Sequence, residues 1–390
     1  MVEAVNRSVA SREVGIGAVH QGGRERVRSF DALRTLMCFG IATYHFVPYF
    51  FTMGSPVNYF TQYFAYFTDM FFVFSGLFMV GATSRRWSLA TYREFLVTRL
   101  ARLYPLHITT LLFYLAIAVG AWLGILKPTN AERYSLAALL PQLTLTQAWG
   151  FGPAFAFDYP NWALSAIFAC YLAAPALSWI CRQRAWVSVI TLLTLMTIGA
   201  SVATSIGSQL TQLQTNSFGI FRALPSVFFG LMLGRQTLEL RSKLVAAAIL
   251  AVAMFLAFGW GHPLDGPFRL AAVYTLITAV LLADRAGLWT PLQWHWLQMG
   301  AKYSFGVYLL HGVIATIMLQ VGTPILTHLS NIQLGRYHPV QALMVIGLAL
   351  LASWASAWVS LRTIERQGAK VFVAALRSKI SHTSSAELSR

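Results

Sequence analysis

Charge is scarce in this chain, and acidic charge is scarcest. Of its 390 residues only 11% are charged, with 13 Asp or Glu against 29 Lys or Arg. Soluble domains carry about 25% charged residues, so this composition excludes a soluble globular fold. Cysteine is nearly absent. Cys38, Cys170 and Cys181 are odd in number and lack CxxC spacing, which gives neither a disulfide framework nor a zinc site; they read as small apolar residues, and no metal is expected. A cleavable leader is lacking too. Residues 1–28 are polar and carry Arg7, Arg12, Arg24, Arg26 and Arg28. The first apolar run is about 20 residues, long enough to span a bilayer, and reads as a retained signal anchor. No inverted internal repeat of the kind that marks many transporters is visible.

What the chain has in quantity is apolar surface. It is 57% hydrophobic and 14% aromatic, with mean hydropathy +0.59, and many aromatics flank apolar runs as an interfacial belt would. The net charge of +16 is dispersed in short clusters between those runs, which is a topology signal rather than a nucleic-acid footprint. Runs long enough to cross the hydrocarbon fall near 30–50, 60–81, 104–124, 162–181, 186–206, 218–234, 244–260, 268–284, 302–321 and 341–361. Alternate connectors are basic: Arg85, Arg86, Arg93, Arg99 and Arg102; Arg182 and Arg184; Arg235, Arg241 and Lys243; Arg285 and Lys302. The intervening ones hold little beyond Lys127, Arg133, Arg269 and Arg336. The expectation is an all-α integral membrane protein of about ten transmembrane helices with both termini cytoplasmic. The longest external connector, about 125–161, contains "AWGFGPAFAFDYPNW" and reads either as a lid or sugar platform, or as an interfacial re-entrant segment. The closing "SHTSSAELSR" reads as a disordered tail.

Ionisable groups within spans are costly, roughly 2.5–3.5 kcal/mol at the centre on insertion scales, and are functional candidates by default. Asp31 and Arg34 are three residues apart on one helix face, as an anchoring salt bridge or as part of a site. His45 stands eleven residues beyond Arg34, in the outer half of the bilayer. Its imidazole suits proton transfer near neutral pH; a hydrogen-bonded structural histidine is the competing reading. Asp69 in span two counts to a similar depth. It is placed either to orient that imidazole as the acidic member of a triad would, or to pair with an arginine. Arg99 and Arg102 are spaced i, i+3 just before span three, a geometry for bidentate phosphate binding that positive-inside anchoring also permits. Arg222 and His311 are further passage candidates, with interface anchoring and a structural hydrogen bond as their alternatives.

"FDALRTLMCFGIATYHF", "DMFFVFSGLFM", "RLARLYPLH", "NWALSAIFACYLAAPAL", "RALPSVFFGLMLGR" and "SFGVYLLHGVI" occur in that order, followed by "TIER". This succession resembles the acyltransferase family 3 membrane proteins over about residues 28–366, in the stand-alone form without an added esterase-like domain. The resemblance implies a transmembrane acyltransferase domain at 29–366 between a basic cytoplasmic segment (1–28) and a cytoplasmic tail (367–390). It implies an O-acyltransferase of the cell inner membrane that moves an acyl group, by default acetyl, from acyl-CoA to a hydroxyl. The default acceptor is a cell-surface or exported glycan, with a small secreted metabolite or lipid as the alternative. By position it casts His45 as the catalytic residue, Arg34, Arg99 and Arg102 as holders of the acyl-CoA, and Asp69 as the family's aspartate before paired phenylalanines. One departure stands out. Family members carry one or two glutamates after the serine that here is Ser165, whereas this chain has Ile167 and Phe168. Whatever those carboxylates do for the acceptor is absent here or done elsewhere. A proton-coupled transporter or flippase, and an acyl-CoA sensor, are the rivals from other classes.

Overall fold

The computed structural model describes residues 27–83, 87–128, 131–150, 156–214, 217–259, 266–330 and 338–374. The basic N-terminal segment, Arg85 and Arg86, Arg336 and the polar tail from 375 onward lie outside the described residues. Among those described, every regular element is helical. In chain order they are α1 (Arg28–Phe46), α2 (Pro56–Ala82), α3 (Leu89–Trp122), α4 (Tyr159–Leu172) and α5 (Ala174–Ile180), α6 (Ala185–Ser205), α7 (Ile220–Leu233), α8 (Lys243–Gly259), α9 (Gly266–Arg285), α10 (His295–Ile325) and α11 (Pro339–Ala374).

Every run read as a span falls on one of these helices, yet the helices differ in what they support. Six are long and apolar enough to cross a membrane, and a seventh is added if α4 and α5, bent by 62° at their junction, count as one broken span. The other three fall short. α7 has 14 residues, α8 is an apolar helix of under 18 residues, and α1 carries Arg28, Asp31 and Arg34 within its 19 residues. Ten full crossings therefore exceed what helix length and apolarity alone establish. Broken and shortened helices are tolerated at membrane depth where neighbouring protein satisfies the freed backbone groups.

The tightest seam is between α2 and α7. A Cβ on Gly76 would collide with the backbone of Val227, and one on Gly230 with the backbone of Val73. Only hydrogen at both positions lets the backbones come this close, the small-residue packing that membrane helices use. α1 lies at the centre, with Ala32, Met37, Cys38, Ile41, Ala42 and Phe46 all at most 1% exposed. It packs against α2, α10 and α11. The bundle thus wraps the helix that bears the charged and histidine side chains, which is where a site would have to be.

Candidate active site

α1 carries Arg34 near one end and His45 in its last turn. Eleven residues separate them, about 16 Å along the axis. The bundle around each end is built differently.

At the Arg34 end, five helices enclose a cavity of about 110 Å³. Arg34 reaches it from α1, Arg99 and Arg102 from α3, and Ser304 and Tyr308 from α10. α2 and α4 supply Phe71, Phe74, Phe78, Leu164 and Ile167, among others. No acidic side chain lines it among the described residues. α3 begins at a capping box in which Ser88 and Thr91 exchange hydrogen bonds, and its i, i+3 spacing sets Arg99 and Arg102 on one face. Arg34 donates to the Ser304 hydroxyl at 3.2 Å and lies 3.6 Å from the Asp31 carboxylate. Arg99 donates to the Phe78 carbonyl at 3.2 Å, with its guanidinium against the rings of Phe95 and Tyr171. Arg102 is within electrostatic reach of Arg99, Tyr171 and Glu365. The three arginines that the resemblance casts as acyl-CoA holders converge on this one space, and Arg222 does not. Ile167, standing where a family carboxylate is usual, forms part of its apolar wall.

Tyr308 is the cavity's lining residue furthest along α10, and neither His45 nor His311 lines it. One turn further along α10, His311 packs on the Tyr308 ring, centroids 5.8 Å apart, and stacks on His45 with centroids 5.1 Å apart. His45 is half-buried. Its Nδ1 lies 3.3 Å from the hydroxyl of Tyr159, and the two rings meet edge to face. Tyr159 opens α4 at the end of the aromatic connector, whose last described stretch from Ala156 on is largely buried. Ala156, Phe157, Asp158 and Asn161 are at most 1% exposed. The fold holds Phe157 in the left-handed region at φ 51°, sparsely populated by non-glycine residues. Arg133 donates to the Phe157 carbonyl, and its guanidinium faces the rings of Tyr114 and Tyr159. Asn161 donates to Asp158 at 2.6 Å and to Thr110 at 3.2 Å. Burial pushes the Asp158 carboxyl up to about 7, against the opposing pull of Arg133 and of hydrogen bonds from Thr110 and Asn161.

Buried polar atoms are nearly always hydrogen-bonded, and each exception calls for an explanation. Seven buried side-chain atoms lack a partner among the described residues. Those on Arg133, Gln142, Gln147, Asp158, Asn161 and His311 belong to the connector, its junction with α4, or the α10 turn it covers; Thr211 is the seventh. Unspent donors and acceptors are concentrated along the connector and beside His311.

The remaining candidates go elsewhere. Asp69 is fully buried and holds Arg222 through both oxygens, at 2.9 Å from Nε and 2.7 Å from Nη2. Arg222 also donates to the Ala65 carbonyl at 3.2 Å and faces the Trp162 ring. Of the two uses the sequence allowed for Asp69, the structure places it in an arginine pair and leaves Tyr159 and His311 beside the imidazole. Ser165 is buried with its hydroxyl accepting from the Ala148 amide at 3.0 Å, which staples the connector to α4. Sequence reasoning quoted the Asp-Tyr-Pro-Asn stretch but gave none of its residues a role. Its signal was a run of polar residues placed just before an apolar helix.

The chain matches the acyltransferase domain family Acyl_transf_3 over residues 27–361, and so belongs to acyltransferase family 3, a family of membrane acyltransferases. A curated protein, acyltransferase MdmB of Streptomyces mycarofaciens, is 30% identical over 243 residues, which cover 55% of this chain and 60% of that protein. The matched part thus spans about three-fifths of that relative. No solved structure matches.

Proposed function

We propose that this protein is an O-acyltransferase of the cell inner membrane that carries an acetyl group from cytoplasmic acetyl-CoA to a hydroxyl of a cell-surface or exported glycan. The reading rests above all on the convergence of Arg34, Arg99 and Arg102 on one cavity lined also by Tyr308, whose ring touches His311, which in turn stacks on His45. Guanidinium forks suit phosphate oxygens, so the three arginines hold the CoA phosphates. The pantetheine arm then lies along the apolar wall and brings the thioester to His45. The separation of Arg34 from His45 matches the reach of such an arm. In this arrangement the basic end is cytoplasmic, both termini lie on that side, and ten helical segments, some shortened or broken, build the bundle.

His45 is the general base. Its Nδ1–H rests on the Tyr159 oxygen, leaving Nε2 to take the proton of the acceptor hydroxyl. The acceptor oxygen attacks the thioester carbonyl carbon and the carbon–sulfur bond breaks. The proton then passes from His45 to the departing CoA thiolate. The acceptor arrives from the connector side, where unspent donors and acceptors match a group that both gives and accepts hydrogen bonds, as sugar hydroxyls do. Asp69 and Arg222 brace α2 against α7.

Membranes bearing the protein, given acetyl-labelled acetyl-CoA and crude surface glycan, are expected to yield label in the glycan and free CoA. His45→Ala should cut the transfer rate by about 10²-fold or more, the usual share of general base catalysis. Full transfer by that variant would remove His45 from the mechanism. Mass spectrometry of surface glycans from a strain lacking the gene should show the missing acetyl group and so identify the acceptor.

A further inference from the structure

His311 is a buried titratable group beside His45 that this mechanism leaves without a task. It is 0% exposed, its Nδ1 is bonded to the Tyr308 carbonyl one turn back, and its Nε2 meets no partner among the described residues. A carbonyl oxygen only accepts, so Nδ1 must carry the hydrogen. The neutral ring then has a bare lone pair at Nε2. The fold has fixed the tautomer and buried an acceptor that nothing in the chain answers. An unanswered buried acceptor costs about 1–3 kcal/mol, so it points to a donor that arrives from outside.

Its position says which donor. Ser304, Tyr308 and His311 climb one face of α10 at i, i+4 and i+7. Ser304 holds Arg34 at the phosphate end, Tyr308 lines the cavity, and His311 stands beside the proposed base. A CoA arm laid along this face has its thioester at His45. Two carbons behind the sulfur it carries the amide N–H of its cysteamine unit. We infer that His311 is a donor-positioning residue, whose Nε2 accepts a hydrogen bond from the cysteamine amide N–H of the acyl-CoA and so fixes the thioester carbonyl over His45. The inference rests on the proposed acyl-CoA reaction and adds to it a specific reading of the donor's pantetheine arm. His311 makes no bond to the reacting atoms; it sets their register.

The experiment uses the full-length membrane protein and two donors. One is acetyl-CoA and the other its analogue in which the cysteamine amide nitrogen is replaced by oxygen. That swap deletes one N–H and leaves the phosphates, the thioester and the arm length in place. The wild-type enzyme should prefer acetyl-CoA by about tenfold or more in kcat/KM, the size expected when a buried acceptor loses its donor. His311→Leu should turn over both donors at nearly equal rates, through loss on acetyl-CoA alone. His311→Gln, whose side-chain oxygen accepts, should restore part of the preference. Equal use of the two donors by the wild-type enzyme, or an undiminished preference in His311→Leu, would overturn the assignment. If His311→Leu does not accumulate, the wild-type comparison still decides. Failure of acetyl-CoA itself to react would instead count against the proposed reaction, so the two failures are told apart.

Discussion

The two ends of α1 are made of different material. Around Arg34 the site is built from helices, and Arg34 and Arg99 lean on a hydroxyl, a carbonyl and a ring of neighbouring helices. Around His45 it is built from a helix end, the first turn of a bent helix and the buried end of a connector with a strained backbone at Phe157. The first end is held by regular helix contacts. The second lies beside His311 and the connector, which with Gln142 and Gln147 account for six of the seven buried polar atoms without a partner among the described residues. A donor common to every turnover suits the rigid end, whereas an acceptor that must be bound, turned and released suits the end made of non-helical backbone, where binding residues commonly lie.

Asp69 and Arg222 give the sharpest way to break this comparison. They form a buried ion pair on the α2–α7 seam, between the two ends. Removing one partner strands the other charge, at a cost of about 3–5 kcal/mol, while replacing both by apolar residues of similar volume is often neutral. Asp69→Leu or Arg222→Met alone should lower the melting temperature in detergent markedly. The Asp69→Leu/Arg222→Met double variant should recover most of the loss and keep its transfer activity. If the double variant is stable yet inactive, Asp69 belongs to the chemistry and the seam is part of the active end.

The donor end was legible because regular helices turn spacing into geometry. Arg99 and Arg102 at i, i+3, and Arg34 eleven residues before His45, are relations a straight helix preserves, and all three arginines reach one cavity. The count of residues also brought Asp69 near the level of His45, but depth is not azimuth. Nothing in a single sequence says that Asp69 turns toward α7, because the close approach of Gly76 to Val227 and of Gly230 to Val73 joins residues far apart in the chain. Tyr159 and Asp158 were quoted without a role because a folded connector has no period to read. His311 stayed between a passage residue and a structural hydrogen bond, since an unanswered lone pair becomes visible only when its neighbours are in place.

Next in size is the phosphate hold. Arg99→Ala with Arg102→Ala removes two charge-assisted contacts of about 1.5–3 kcal/mol each, so the KM for acetyl-CoA should rise by about 10²-fold or more. The melting temperature should move little, because both side chains face a cavity rather than close-packed core. Acetylpantetheine, a thioester with no phosphate, would sharpen the result. Should the variant lose affinity for acetyl-CoA but not for a thioester without phosphates, the arginines read phosphate; an equal loss for both would mean that they shape the cavity instead.

The smallest effect tests the other end. Tyr159→Phe removes one oxygen and keeps the ring that packs on His45 and faces Arg133. One neutral hydrogen bond is worth about 0.5–1.5 kcal/mol, so kcat should fall by up to about tenfold, with the KM for acetyl-CoA unchanged. That split carries the information. Loss confined to kcat means that the hydroxyl orients an imidazole whose partner is already bound. Loss in the donor KM would mean that the connector also shapes the arginine cavity, and the two ends of α1 would then be one site rather than a rigid donor hold joined to an adaptable acceptor end.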